Sequence, residues 1–245
     1  MTTILVTGTN RGIGLGLVKE FLKHQGVGKV FATARKPEEA TELLAIKDPR
    51  LVVVQMSVTD DDSINRAVEQ VSQEVGDHGL DLLVNNAGLN RKMDAKLPMD
   101  RAQLMEMFDT NAIGPMVVTS VGLSEFFYPL LVRAAIRAGH AQIAHVSSMG
   151  GSAGMCRGFV GMHISGYQAS KAALNRYTAF TSKYFADDNV RVTCFCPGWV
   201  RTDMGTDKAH LSVEESTSQL GPLLLSLGPE HNGGYFRQNG ERMPW

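Results

Sequence analysis

Cysteine is scarce in this 245-residue chain, and so are long apolar runs and any excess of one charge. Three cysteines are too few for a disulfide framework. Cys194 and Cys196 are expected to be buried on one face of a strand. A net charge of −1 argues against nucleic acid and an anionic membrane as partners. No apolar run approaches the ~20 residues that span a bilayer, and no signal peptide is recognisable. A cytoplasmic location is therefore expected. The seven histidines are scattered, so no metal site is assigned.

Short β-branched runs alternate with helical stretches along the chain. Strands are predicted at residues 3–7, 29–34, 51–56, 80–84, 142–147, 190–196 and 234–236. Helices are predicted at residues 12–24, 38–46, 60–75, 101–138, 166–185 and 214–227, the fourth being interrupted at Gly114-Pro115 and at Pro129. This alternation is typical of an α/β fold, a doubly wound parallel sheet with helices on both faces. Because no repeat or linker divides the chain, we expect a single domain over residues 1–245, with its ligand at the carboxyl ends of the strands.

A glycine-rich loop follows the first predicted strand and leads directly into the first helix. Glycines allow a tight turn there, and the helix N-terminus offers free N–H groups to a pyrophosphate. The spacing G-x-x-x-G-x-G differs from the usual dinucleotide fingerprint, so a merely structural turn remains an alternative. We predict a dinucleotide site. Its residues in this loop are Gly8, Asn10, Arg11, Gly12, Ile13 and Gly14.

The end of the second strand indicates which dinucleotide is bound. Sites for NAD commonly carry an acidic residue about 20 positions after the loop, but here the strand ends in Ala34-Arg35-Lys36. Arg35 and Arg11 would face a 2′-phosphate, which a guanidinium can bind through two oxygens. The alternative is that both arginines are solvated surface charges. The predicted cofactor is NADP(H).

Tyr167 and Lys171 lie four positions apart on a predicted helix and therefore share a face. A free tyrosine titrates near 10. A neighbouring ammonium would lower the pKa of Tyr167 and suit it to proton exchange with an alcohol or carbonyl oxygen. Alone, such a pair would be an incidental feature of a helix surface.

Several motifs, however, occur together and in order. They are the glycine loop, Asn85-Asn86-Ala87-Gly88 after strand four, Ser147-Ser148 after strand five, the Tyr167/Lys171 helix, and Pro197-Gly198 after strand six. This arrangement resembles the classical short-chain dehydrogenase/reductase family over essentially the whole chain, and most closely its sniffer-type carbonyl reductases and C-factor-like proteins. The resemblance implies a Rossmann-like fold and an oxidoreductase.

The resemblance also implies roles for individual residues. Tyr167 would transfer the proton, and Lys171 would also hold the nicotinamide ribose. Ser148 would hydrogen-bond the substrate oxygen, and Asn111 would support the lysine and a proton-relay water. The further cofactor-binding residues that it implies are Val58, Asn85, Ala87, Gly88, Pro197, Gly198, Val200 and Thr202.

Three departures from the family pattern affect these assignments. Ser57 replaces the aspartate that usually binds the adenine amine, so that contact must be rebuilt from the backbone and Val58. His145 replaces an asparagine that usually precedes the catalytic serine, which we interpret as a change in strand packing. Nineteen positions separate Ser148 from Tyr167, more than is usual in the family.

The extra residues form a glycine-rich segment, 150–166, which is expected to be one wall of an apolar substrate pocket. Met155, Phe159 and Met162 are its candidate lining side chains. Met149 is expected beside them, with Trp199 and Met204 on the opposite side. The alternative is that the bulky side chains pack under the segment or fill a contact between subunits.

The predicted reaction is reversible hydride transfer between the nicotinamide and a small-molecule carbonyl or alcohol. The substrate would be an apolar ketone, aldehyde or quinone. A non-catalytic NADP-binding sensor remains the rival, although a sensor would not need Ser148, Tyr167 and Lys171. A sugar-nucleotide epimerase is disfavoured because the C-terminal part is short. A homodimer or homotetramer is expected, joined through residues 101–138 and 166–185. The aromatic residues cited for that contact are Phe126, Phe127, Phe180 and Phe185.

Overall fold

The computed structural model describes residues 1–91, 98–120, 127–155 and 164–245. Its sheet has the strand order β3-β2-β1-β4-β5-β6-β7, and every neighbouring pair is parallel. The strands are β1 (Thr2–Val6), β2 (Val27–Ala34), β3 (Leu51–Gln55), β4 (Leu82–Asn85), β5 (Ala141–Val146), β6 (Val190–Cys196) and β7 (Tyr235–Arg237). The predicted doubly wound, Rossmann-like parallel sheet is confirmed.

Helices cover both faces of this sheet. They are α1 (Gly12–Leu22), α2 (Thr41–Leu44), α3 (Asp61–Val75), α4 (Arg101–Phe108), α5 (Gly114–Thr119), α6 (Tyr128–Ala138), α7 (Ser165–Tyr184) and α8 (Val213–Leu225). Side chains of α1 and α8 form one core cluster with one face of the sheet, and side chains of α3 and α6 form another with the opposite face. None of the described helices combines the length and apolarity needed to cross a bilayer.

Strand β1 shows why the apolar runs in the sequence become central strands. Ile4 and Val6 pack into the cluster of α1 and α8, whereas Leu5 packs into the cluster of α3 and α6. A parallel strand covered on both faces is apolar throughout rather than alternating. Because all strands run in one direction, the loops after β1, β4, β5 and β6 meet at a single edge of the sheet.

Several predicted boundaries differ from the structure. The predicted helix 38–46 is a short 3-10 turn at Pro37–Glu39 followed by α2. The predicted break at Gly114-Pro115 is wrong, because α4 continues through a π-helical turn (Asp109–Ile113) directly into α5. Pro115 is the second residue of α5 and follows the π-helical turn directly, so its missing N–H falls where the hydrogen-bond pattern changes from one helix type to the other. A Cβ on Gly114 would lie 2.7 Å from the Val58 carbonyl oxygen, so the helix passes very close to the loop after β3.

Candidate active site

A cavity of about 540 Å³ opens at the carboxyl ends of the strands. The loops after β1 and β4 diverge to opposite sides of the sheet and leave a crevice between them, which is where open α/β sheets bind ligands. Most of the predicted cofactor-binding residues line this cavity. They are Gly8, Asn10, Arg11, Gly12, Ile13, Gly14, Arg35, Val58, Ala87, Gly88, Tyr167, Lys171, Pro197 and Thr202.

The glycine loop has the shape of an anion cradle. Gly8 and Gly12 have φ of +69° and +59°, in the left-handed region that favours glycine. A Cβ on Gly14 would lie 2.2 Å from the Gly8 carbonyl oxygen, so the loop packs tightly on the first turn of α1. That turn contains no acidic residue, and Leu15 N–H makes its first hydrogen bond, to Arg11. The preceding N–H groups have no helical partner and fit a pyrophosphate.

Charged side chains surround the mouth of the cavity near the glycine loop. Arg35 is exposed at the lining. Arg11 also lines the cavity, but its Nη1 lies 2.6 Å from Asp203 Oδ2, in an ion pair whose two side chains are largely exposed. Glu42 lines the same region, with its carboxylate 3.4 Å from Lys19 Nζ. Sequence reasoning missed Asp203 and Glu42 because both lie far from the glycine loop in the chain.

Residues just after β3 line a third part of the cavity, where the family aspartate is replaced. Met56, Ser57, Val58 and Thr59 all contribute. The Ser57 and Thr59 hydroxyls are 3.2 Å apart, and Ser57 N–H donates to Ser63 Oγ at 3.0 Å. Val58 lines the cavity here, and its contact with adenine stays a prediction. Where the family pattern has a carboxylate, this wall has the hydroxyls of Ser57 and Thr59.

Tyr167 and Lys171 lie on α7 at the other end of the cavity. Tyr167 is partly exposed because the cavity reaches it, but it lies deep in the protein, and burial raises its pKa to about 12, with the Ser148 hydroxyl acting in the opposite direction. Lys171 Nζ lies 5.9 Å from the tyrosine ring centroid and donates to the Val146 carbonyl at 2.8 Å. Burial lowers the pKa of Lys171 to about 8.

The expectation that Lys171 lowers the pKa of Tyr167 is therefore not met in this structure. The lysine amine is turned toward the backbone of β5, and desolvation is the largest influence on both side chains. Ser148, at the end of β5, accepts a hydrogen bond from Gly150 N–H at 3.1 Å. A hydrogen bond between the Ser148 and Tyr167 side chains acts to lower the pKa of Tyr167, so the two hydroxyls are neighbours.

Asn111 is buried in the π-helical turn after α4 and connects two walls of the cavity. Its Nδ2 donates to the Leu89 carbonyl at 2.8 Å and to Ser170 Oγ at 3.0 Å, and its Oδ1 accepts from Leu89 N–H at 2.8 Å. A Cβ on Gly88 would lie 3.2 Å from Asn111 Oδ1 and 3.5 Å from Lys171 Nζ. Asn111 thus ties the loop after β4 to α7, with Gly88 packed between Asn111 and Lys171.

The prediction for Asn85 is corrected by the structure, because Asn85 is buried away from the cavity. Its Nδ2 donates to Thr119 Oγ1 at 3.0 Å and lies 3.3 Å from His145 Nδ1. Asn86 lines the cavity instead, and its Nδ2 donates to the carbonyls of Thr7 and Gly8 at 2.8 and 3.0 Å. Neighbouring residues of a strand point to opposite faces, which is the signal that would have separated the two asparagines.

Other predicted residues that the structure describes do not line the cavity; they include Asn111, Ser148, Met149, Gly198, Trp199 and Val200. Val200 pairs with Leu211 in an isolated bridge, Gly198 forms a turn with φ of +85°, and the Trp199 indole N–H donates to the Gly205 carbonyl at 2.6 Å. These contacts fold residues 197–211 onto themselves, and Pro197, Thr202 and Met204 of this loop line the cavity. Met149 packs against Cys194 and Cys196, which are buried free thiols as expected. Phe159, with Met162, lies outside the described residues.

Comparison with known proteins defines the family. Residues 2–211 match the family model of the short chain dehydrogenases, so the chain belongs to the short-chain dehydrogenase family of oxidoreductases. It is 33% identical to an uncharacterized oxidoreductase of Schizosaccharomyces pombe, over 98% of this chain and 96% of that protein. The structure of NADPH-bound carbonyl reductase from chicken fatty liver is 34% identical, with a TM-score of 0.92, covering 100% of this chain and 94% of that one.

A second solved structure confirms the resemblance to sniffer-type reductases. Carbonyl reductase Sniffer of Drosophila melanogaster is 32% identical to this chain, with a TM-score of 0.91 and complete coverage of both chains.

Proposed function

We propose that this protein is an NADP(H)-dependent carbonyl reductase, transferring hydride between the nicotinamide and a carbonyl or alcohol group. The observation that carries this proposal is one continuous cavity, which has the glycine loop and Arg35 at one end and Tyr167 and Lys171 at the other. The chicken carbonyl reductase, with NADPH bound, supports the same assignment by similarity.

The lining residues fit this cofactor part by part. The free N–H groups of α1 would hold the pyrophosphate, and the Arg35 guanidinium would bind the 2′-phosphate. The hydroxyls of Ser57 and Thr59 would border the adenine, and Gly88 and Pro197 would border the nicotinamide half. When bound, NADPH supplies the hydride.

The chain itself supplies the proton. A pKa of about 12 keeps Tyr167 protonated at neutral pH, so that it can donate a proton to the oxygen of a carbonyl substrate as that oxygen gains charge. The Ser148 hydroxyl would donate a hydrogen bond to the same oxygen. Lys171, with its pKa near 8, is largely protonated at pH 7 and would donate a hydrogen bond to the nicotinamide ribose.

An apolar substrate suits the reactive end of the cavity. Val146 lines it beside Lys171, Leu89 lines it beside Asn111, and Met204 lines the same cavity. An adaptable methionine and small aliphatic groups favour ketones, aldehydes or quinones with apolar substituents over sugars or charged acids.

The test is NADPH consumption against a panel of apolar quinones, aldehydes and diketones. Wild type should oxidise NADPH only when a carbonyl compound is present, and Tyr167→Phe should not. Tight NADPH binding without turnover of any carbonyl compound would overturn the proposal and favour a non-catalytic NADP-binding sensor.

A further inference from the structure

The residues that follow Ser148 are held in place by residues 241–245, which are far from them in the sequence. Residues 149–155, called the post-serine segment below, begin with a 3-10 turn at Met149–Gly151. Ser148 caps this turn by accepting a hydrogen bond from Gly150 N–H. Any displacement of the post-serine segment is therefore transmitted to the Ser148 hydroxyl.

The chain turns back after β7 and passes beside this segment. Arg237 N–H donates to the Glu241 carbonyl at 2.8 Å, and Met243 N–H donates to the Tyr235 carbonyl at 2.7 Å. An antiparallel bridge joins Phe236 to Arg242. Residues 241–245, called the return segment below, are thereby fixed in position before they reach the post-serine segment.

Two hydrogen bonds join the two segments. Ser152 Oγ donates to the Pro244 carbonyl at 2.7 Å, and Gly154 N–H donates to the Trp245 backbone oxygen at 2.9 Å. The same Ser152 hydroxyl accepts from Met155 N–H at 3.2 Å, and the side chain is 1% exposed. Ser152 is thus a buried tie between the segments.

Packing reinforces these hydrogen bonds. The Trp245 ring stacks on Tyr235 with centroids 5.4 Å apart and an interplanar angle of 20°. Tyr235 and Cys196 belong to one buried cluster, against which Met149 and Met155 pack. Cys196 Sγ also accepts a hydrogen bond from Met149 N–H at 3.2 Å. The post-serine segment is therefore held between β6 on one side and the return segment on the other.

We propose that the return segment positions the substrate carbonyl, with Ser152 and Trp245 as specificity-determining residues that act through the post-serine segment. The inference rests on the proposed function and extends it. The post-serine segment begins directly after Ser148, so its placement sets the position of the Ser148 hydroxyl beside Tyr167. A bulky substrate, which has less freedom to shift in the cavity, is more sensitive to that position than a small one.

Ser152→Ala and Trp245→Ala test this role by kinetics. Each should lower kcat/KM for a bulky aromatic ketone by about tenfold or more, since misplacement by about 1 Å can cost about 100-fold. A small aliphatic ketone should lose less, so the order of substrates changes. NADPH affinity should stay within about twofold of wild type because the glycine loop and Arg35 are not touched. Ser226→Ala is the matched control, since Ser226 is exposed at the end of α8 and does not line the cavity.

Fluorescence gives a readout that is independent of turnover. The chain has two tryptophans, so Trp199→Phe leaves Trp245 as the single indole reporter. Adding an aromatic ketone to this variant with NADP⁺ should shift or quench the Trp245 emission. The reciprocal variant Trp245→Phe, which reports only on Trp199, should show a much smaller change.

The outcomes separate this inference from the proposed function. An active wild type whose substrate order is unchanged in both variants overturns the inference alone, and so does a lowered Tm without a change of order. A wild type that reduces no carbonyl compound overturns the proposed function and this inference with it. If Ser152→Ala does not fold, Gly154→Ala replaces it, because the new Cβ would lie 3.2 Å from Pro244 Cβ and displace the return segment. It should change the substrate order in the same way.

Discussion

Tyr167 is the residue on which the proposed chemistry depends most directly. Replacing it by phenylalanine removes the proton donor but keeps the ring. General acid catalysis contributes about 10²- to 10⁴-fold, so Tyr167→Phe should lower kcat by that factor. NADPH affinity should change little because no charge is lost. Steady-state kinetics and a binding titration check this, and a kcat close to that of wild type would remove Tyr167 from the mechanism.

Arg35 and Arg11 should differ in their effect on cofactor choice. Arg11 is already paired with Asp203, whereas Arg35 faces the cavity at its mouth. Losing one charge-assisted contact costs about 1.5–3 kcal/mol, or roughly one to two decades of affinity. Arg35→Ala should therefore weaken NADPH binding by that amount and scarcely change NADH binding, with a smaller effect for Arg11→Ala. Equal weakening of both cofactors by Arg35→Ala would show that Arg35 does not bind the 2′-phosphate.

His145 predicts a pH dependence of stability. Burial lowers its pKa to about 3, with Lys171 acting in the same direction, and it stands against Asn85 and Tyr177. The unfolded chain would protonate His145 near its ordinary pKa of 6.5, whereas the fold keeps it neutral. The free energy of unfolding should therefore fall as pH drops from 6.5 toward 3, by up to about 1.4 kcal/mol per pH unit from this residue.

The matched variant is His145→Asn, which can still face Asn85. Urea unfolding of both proteins at pH 6.5 and pH 5 measures the difference. The wild type should lose more stability than the variant over this interval. Parallel losses in the two proteins would mean that His145 is not the group that resists protonation.

At the scale of elements, the sequence predicted the sheet well because its central strands are covered on both faces. Ile4, Leu5 and Val6 are buried against helices, and such runs are easily recognised. The helix around Asn111 was harder to predict. Glycine and proline usually end helices. Here a π-helical turn precedes Gly114, the helix continues, and Asn111 in that turn donates a hydrogen bond to Ser170. The periodicity of the sequence does not predict the contact between Asn111 and Ser170.

The candidate site was only partly predictable for the same reason, because contacts between distant parts of the chain do not show in local spacing. Spacing placed Tyr167 and Lys171 on one helix face, but the direction of their pKa shifts depends on depth in the protein, which is a three-dimensional property. The Arg11–Asp203 pair likewise joins two loops that are distant in sequence. The contact of Ser152 could not be predicted from the sequence, because its partner is the Pro244 backbone carbonyl and every residue carries such a group.

The close packing of the glycine loop on α1 predicts how displacing the whole loop affects cofactor binding. In Gly14→Ala the new Cβ would overlap the Gly8 carbonyl oxygen and Asn86 Nδ2, at 2.2 and 2.5 Å, so the loop must move away from the helix. NADPH and NADH should both lose affinity, because the pyrophosphate cradle is common to them. This separates the loop from Arg35, which should affect only NADPH. Gly26→Ala, whose Cβ meets open space, is the control and should bind both cofactors as wild type does.

At the scale of the molecule, the aromatic residues predicted to form a contact between subunits differ in how deeply they are buried. Phe127 and Phe185 are core residues, and Phe126 lies outside the described residues. Phe180 is 57% exposed on α7 and stacks on Tyr184, itself 68% exposed, with ring centroids 6.2 Å apart. Met105 on the neighbouring helix α4 is exposed as well.

These exposed side chains support the prediction that the protein associates through residues 101–138 and 166–185, which include α4 and α7. Burying a large apolar side chain contributes about 1.5–3 kcal/mol, and in a symmetric dimer each substitution counts twice. Phe180→Ser should therefore shift a dimer or tetramer toward the monomer, as light scattering at micromolar concentration would show. Leu44→Ser is the control, because Leu44 is exposed on α2 and belongs to neither helix. Since Phe180 is mostly exposed in the monomer, its loss should leave the monomer's own fold intact. A wild type that is monomeric at this concentration would overturn the prediction, whereas dissociation of both variants would place the contact elsewhere.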